Sequence, residues 1–239
     1  MFVLALVSLL AVITGCEEQA AKQPTPTPEQ PAMAAPEQAK PAAPAKPFSP
    51  GPYGFVANYE DEPGFIANWL VLGPLPNPGD RPDNEGFNID YLGGEAAYTP
   101  AKGMELKDPD GKIIKWQPFQ SGDALVNFFD IPFLNLEYGQ EDILCYSACW
   151  VESDADKDVE FRLGSDDGYK LWVNHKEVGI VHEYRSSGTD QEIYKVKLNK
   201  GKNLVLIKVD QDYGEFEFML RIIDSEGKPV KGLKVWLKQ

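Results

Sequence analysis

The chain of 239 residues carries 37 acidic and 23 basic side chains, a formal charge of −14. Such a surface repels phosphate backbones and anionic lipid headgroups, and no basic stripe offsets it, so nucleic acid is excluded as a partner. With three cysteines and two histidines in all, a cysteine–histidine metal site is not expected.

The first segment, Met1 to Ile13, reads MFVLALVSLLAVI and is apolar except for Ser8. It is too short to span a bilayer, which takes about 20 residues, and fits the apolar core of a secretory signal. Ile13-Thr14-Gly15-Cys16 follows, an apolar residue and two small ones before a cysteine. This resembles a bacterial lipobox, which implies cleavage before Cys16 and acylation of that residue. One departure is that no Lys or Arg precedes the apolar run. Each buried CH2 of an acyl chain contributes about 0.8 kcal/mol, so Cys16 is expected to hold the protein on a membrane of the bacterial cell envelope without a spanning helix.

Residues 17–50 are rich in Pro, Ala and Gln and nearly devoid of core-forming side chains. They are expected to form a disordered spacer of polyproline II character, with a reach on the order of 100 Å. The expected organisation is a signal over 1–15, the lipidated Cys16 and linker over 16–50, and one folded domain over 51–239.

The folded part opens irregularly. Asn68 to Pro78 reads as a strand stopped by Gly73, Pro74 and Pro76, and residues 79–103 as a long surface excursion. Leu106 to Phe119 reads as a hairpin turning at Asp110-Gly111. A short helical turn is expected over Asp123 to Phe129. From Ile143 onward the pattern has period two. Ile143, Cys145, Ser147, Cys149 and Val151 share a face, as do Val159, Phe161 and Leu163. Tyr169, Leu171 and Val173 point inward, with Lys170 and Trp172 outward. Tyr194, Val196 and Leu198 alternate with lysines, and Phe216, Phe218, Leu220 and Ile222 alternate with Glu217, Met219 and Arg221. Asn203 to Val209 is apolar on both faces for most of its length, which suits a covered central strand. Such short strands bounded by turn residues predict an all-β fold, an antiparallel jelly-roll β-sandwich. Cys145 and Cys149, four apart on a strand, lie about 13 Å apart, beyond the roughly 7 Å that a disulfide spans. They are expected to be buried thiols.

Asn68 to Asn77, Leu163 to Gly179 (LGSDDGYKLWVNHKEVG) and Val196 to Val230 resemble galactose-binding-like jelly-roll modules of bacterial surface proteins, which often accompany glycoside hydrolases. The Asp-Asp-Gly before a strand also resembles sugar-binding domains of the anthrax protective-antigen type. A departure is His175, where such modules carry Gly. The resemblance implies glycan binding. The residues themselves leave three roles open for Asp166 and Asp167: shaping a bend in which Gly168 permits positive φ, binding calcium, or touching sugar directly. Trp172 could stack on a sugar ring unless the first half of the chain covers it, and Asn174 suits a left-handed turn beside it.

Asp154 to Asp158 imitates an EF-hand start, but Val159 and Ser165 stand where Gly and Glu are required. Glu215 and Glu217, two apart, mimic a glycosidase carboxylate spacing, yet alternating charge on an exposed strand is commoner. No nucleophile elbow or phosphate loop is present. The expectation is a lipid-anchored binding module without catalysis, for a glycan; the alternative is a protein-interaction subunit of an envelope assembly.

Overall fold

The computed structural model describes residues 48–58, 61–79 and 85–239. The signal, Cys16 and nearly all of the linker lie outside the described residues. The strands are β1 (Asn68–Pro76), β2 (Glu105–Lys107), β3 (Ile113–Lys115), β4 (Gln117–Gln120), β5 (Val126–Asn127), β6 (Ile143–Ser153), β7 (Lys157–Asp166), β8 (Tyr169–Val173), β9 (Lys176–Val181), β10 (Glu192–Leu198), β11 (Gly201–Gln211), β12 (Glu217–Ile223) and β13 (Leu233–Trp236). One sheet runs β4-β1-β6-β11-β8-β9, with β13 joining the far half of β6 beside β1; a second runs β10-β7-β12-β5. All pairings are antiparallel. From β6 to β13 the chain passes repeatedly between the sheets, as a jelly-roll sandwich requires.

Period two explains the core. Tyr169, Leu171, Cys145, Cys149, Ile207 and Val209 share the inner face of the larger sheet, and all are fully buried. Phe161, Leu163, Phe218 and Leu220 come from the smaller one, and Trp69 packs edge-on against Phe218 at 5.2 Å. Cys145 and Cys149 are free buried thiols, and burial pushes both well above the usual thiol pKa.

The larger sheet is covered on its outer face as well. Trp172, Tyr146 and Lys208 lie there in one register and are buried, under a layer built from 85–98 and the β2–β3 hairpin. Residues 85–98 are therefore not a free surface excursion. Phe87 and Leu92 are buried, Phe87 stacks on His182 at 4.1 Å, and the fully buried Lys208 donates to the carbonyl oxygens of Phe87 (2.9 Å) and Ile89 (2.7 Å) and to Glu95 Oε1 (3.0 Å). That cover accounts for the near-continuous burial of β6 and β11.

Three local expectations change. β1 runs on through Gly73-Pro74 to Pro76, because a register shift between Leu72 and Leu75 takes Gly73 and Pro74 out of the ladder, which resumes at Leu75 and Pro76. Val126-Asn127 pairs with β12, and only Phe128–Asp130 forms a 3-10 turn, capped by Asn127. Gly168 does not take a left-handed conformation; Asn174 (φ 49) and His175 (φ 69) do, forming the two-residue β8–β9 turn.

Candidate functional site

Four connections meet at one end of the sandwich: the segment before β6, and the β7–β8, β9–β10 and β11–β12 loops. Between them lies an open cleft of about 560 Å³, lined among others by Tyr138, Asp166, Tyr184, Arg185, Tyr213 and Glu215. The three tyrosines are strongly exposed, at 73%, 56% and 73% in chain order. An exposed ring costs solvation and order, so three around one hollow form a distinctive surface. Tyr138 and Tyr213 each precede a left-handed glycine, Gly139 (φ 76) and Gly214 (φ 97). Phe129 supports Tyr138 from beneath at 5.1 Å.

The paired aspartates divide their work. The Asp167 carboxylate ties three loops together: Oδ1 accepts from the Arg185 amide (3.1 Å), and Oδ2 from the amides of Asp212 (2.9 Å) and Tyr213 (3.3 Å). Backbone bonds between Asp167 N and Asp210 O, and between Asp210 N and Gly168 O, fix the same turn to the end of β11. The Asp166–Asp167 peptide is cis. Asp167 thus shapes the bend and holds the loops.

Asp166 faces the cleft. It is only 5% exposed, and its Oδ1 is sealed from solvent with no hydrogen-bond partner. Its register partner on β12 is Glu217, so two carboxylates stand opposite each other. Burial first, then the charges of Asp167, Glu217 and Glu215, push Asp166 up to about 7. Burial likewise raises Glu217, whose Oε1 accepts from Ser187 and Oε2 from Asn127 (3.2 Å). Glu215 accepts from the Tyr138 hydroxyl and precedes β12 rather than lying in it.

Arg185 is fully engaged. Its guanidinium grips Glu192 with two bonds (2.6 and 3.0 Å), donates to Ser165 Oγ (2.8 Å), and lies within 3.2 and 3.3 Å of the Ser165 and Asp167 carbonyl oxygens. The loop carrying Tyr184 and Arg185 returns over β7 with backbone touching backbone. A Cβ on Gly164 would fall 1.7 Å from the Gly188 carbonyl oxygen, so only glycine fits there.

Calcium takes six to eight oxygen ligands. Among the described residues no three His, Cys, Asp or Glu side chains come close enough to hold a metal ion. Both Asp167 oxygens already accept amides, and Arg185 occupies the two nearby carbonyls. A cation at Asp166 and Asp167 would have to share these acceptors with the amides and with Arg185.

The other two residues singled out from sequence are not in this cleft. Trp172 is 4% exposed under the outer layer, so it cannot stack on a ligand. Asn174 sits at the opposite end of β8, where its side chain bonds Asn203 Oδ1 (2.7 Å) and the Leu204 amide (3.0 Å). The rim residues were missed, although Glu137-Tyr138-Gly139 and Asp212-Tyr213-Gly214 repeat one pattern, an acid, a tyrosine and a turn glycine. The fold places Tyr184 on the rim as well.

No protein-family model and no curated protein matches the chain. Among solved structures it is similar to a β-glucosidase from Kluyveromyces marxianus, with 15% identity over 46% of this chain and 14% of that one and a TM-score of 0.34. It is also similar to the PA14 domain of the antifreeze protein MpAFP, with 14% identity, coverage of 73% and 70%, and a TM-score of 0.32. A PA14 sugar-binding domain from an RTX adhesin shares 15% identity over 66% of this chain and 89% of that one, with a TM-score of 0.31. The chain thus spans only a small part of the β-glucosidase.

Proposed function

We propose that this chain is a non-catalytic glycan-binding module, tethered to a bacterial cell envelope by lipid on Cys16 and by the extended linker. One observation carries the binding reading: Asp166, a buried carboxylate whose Oδ1 has no partner, lines an open cleft rimmed by three exposed tyrosines. A sugar ring has an apolar face for tyrosine to cover and polar groups that donate to a carboxylate. The neighbouring carboxylates are engaged by Tyr138, Ser187, Asn127 and backbone amides, which leaves them poorly disposed for acid–base work. Support for the anchor comes from the apolar run, the Ile13–Cys16 pattern and the proline-rich stretch that follows.

A glycan array followed by titration calorimetry tests this. Tyr138→Ala and Tyr213→Ala should each weaken the best ligand roughly tenfold, equivalent to about 1.4 kcal/mol. A blank array, together with an envelope protein captured through this same cleft, would instead favour the protein-interaction subunit.

A further inference from the structure

The floor of the cleft narrows the ligand further, given that the cleft binds glycan at all. Asp166 is the buried cleft carboxylate left without a complement, while Glu141 stands exposed on the rim. Asp167 is held by three amides, Glu215 receives Tyr138, and Glu217 receives Ser187 and Asn127. Arg185, the only Lys or Arg lining the cleft among the described residues, is bound to Glu192 and to the turn itself. Glu217 opposite Asp166 and Glu215 nearby deepen the negative field. A carboxylate in that position either keeps its proton or, when ionised, is stabilised by a positive charge brought against it.

The charge it can accommodate is small. A divalent ion would need turn carbonyls, and the Arg185 guanidinium already lies on those of Ser165 and Asp167. One free carboxylate matches a single positive charge. An ammonium brings three N–H donors, while the faces of exposed tyrosines attract cations and cover the rest of a sugar ring. A carboxylated, sulfated or phosphorylated sugar would meet like charge.

We infer that the cleft selects amino sugars, with the protonated amine of a de-N-acetylated hexosamine paired to Asp166, without a divalent metal. This rests on the glycan reading, and the test separates the two. The full chain is titrated with equal-length oligomers of glucosamine, N-acetylglucosamine and glucose at about pH 7, with and without EDTA.

The glucosamine oligomer should bind at least about tenfold more tightly than its acetylated form, and EDTA should change nothing. This comparison alters only the ligand, so it does not depend on a variant folding. Asp166→Asn should bring the three affinities together. Equal affinities in the native protein, an amine preference that survives Asp166→Asn, or restoration of EDTA-lost binding by calcium would each overturn the inference and leave glycan binding standing. Failure to bind any sugar on a broad array would overturn both.

Discussion

Asp166 and Asp167 are adjacent in sequence and opposite in physical situation. Asp167 accepts backbone amides from two other loops. Asp166 has burial and three like charges against it, offset only in part by the charge of Arg185, and its Oδ1 has no hydrogen bond. The consequence for stability has a definite sign. Between about pH 4 and pH 7 the unfolded chain releases a proton that folded Asp166 retains, so the folded state loses stability across that window and carries the full penalty above it. Asp166→Asn removes the penalty. The variant should melt higher than the native protein at pH 8, by about 1–3 kcal/mol, and the advantage should vanish near pH 3. Thermal melts across that range, read by near-ultraviolet circular dichroism, check this; an advantage independent of pH would contradict it. Nothing in Gly-Ser-Asp-Asp-Gly distinguishes the two aspartates, because the difference comes from residues 18 to 51 positions away.

At the scale of elements, the strands from β6 onward were legible because each buries alternate side chains against the other sheet, and alternation is visible in sequence. The rim was not, because its tyrosines lie on loops whose positions are set by contacts between loops. Gly164 is one such contact. Gly164→Ala would drive a methyl group into the Gly188 backbone and push the β9–β10 loop off β7. The expected cost is about 1–3 kcal/mol by urea denaturation, together with a loss of ligand affinity larger than that stability change explains. Residues 85–98 were read as an excursion because the segment is polar and glycine-rich, yet it is secured to the sheet by Lys208. Burial lowers the pKa of this lysine, and all three of its donors are satisfied. Lys208→Met would strand two carbonyls and the Glu95 carboxylate, and should destabilise the fold by about 3–5 kcal/mol in the same assay.

For the molecule as a whole, the proposed arrangement is a sandwich on a lipid tether, its cleft built from loops at one end. The anchor is tested directly: Cys16→Ala should abolish both the acyl mass and co-sedimentation with membranes, and an unchanged membrane fraction would remove the tether from the account. By itself the sequence determined the layered antiparallel architecture, the two buried thiols and the acidic surface, since periodicity, strand rise and composition are local properties. Only the tertiary structure decided that Trp172 is sealed under a third layer, that Asn174 lies at the far end from the aspartates, and that Tyr138, Tyr184 and Tyr213 surround Asp166. The reason is that a binding site of this kind is a meeting of loop ends, and which ends meet depends on strand order, a long-range property that no single stretch of residues contains.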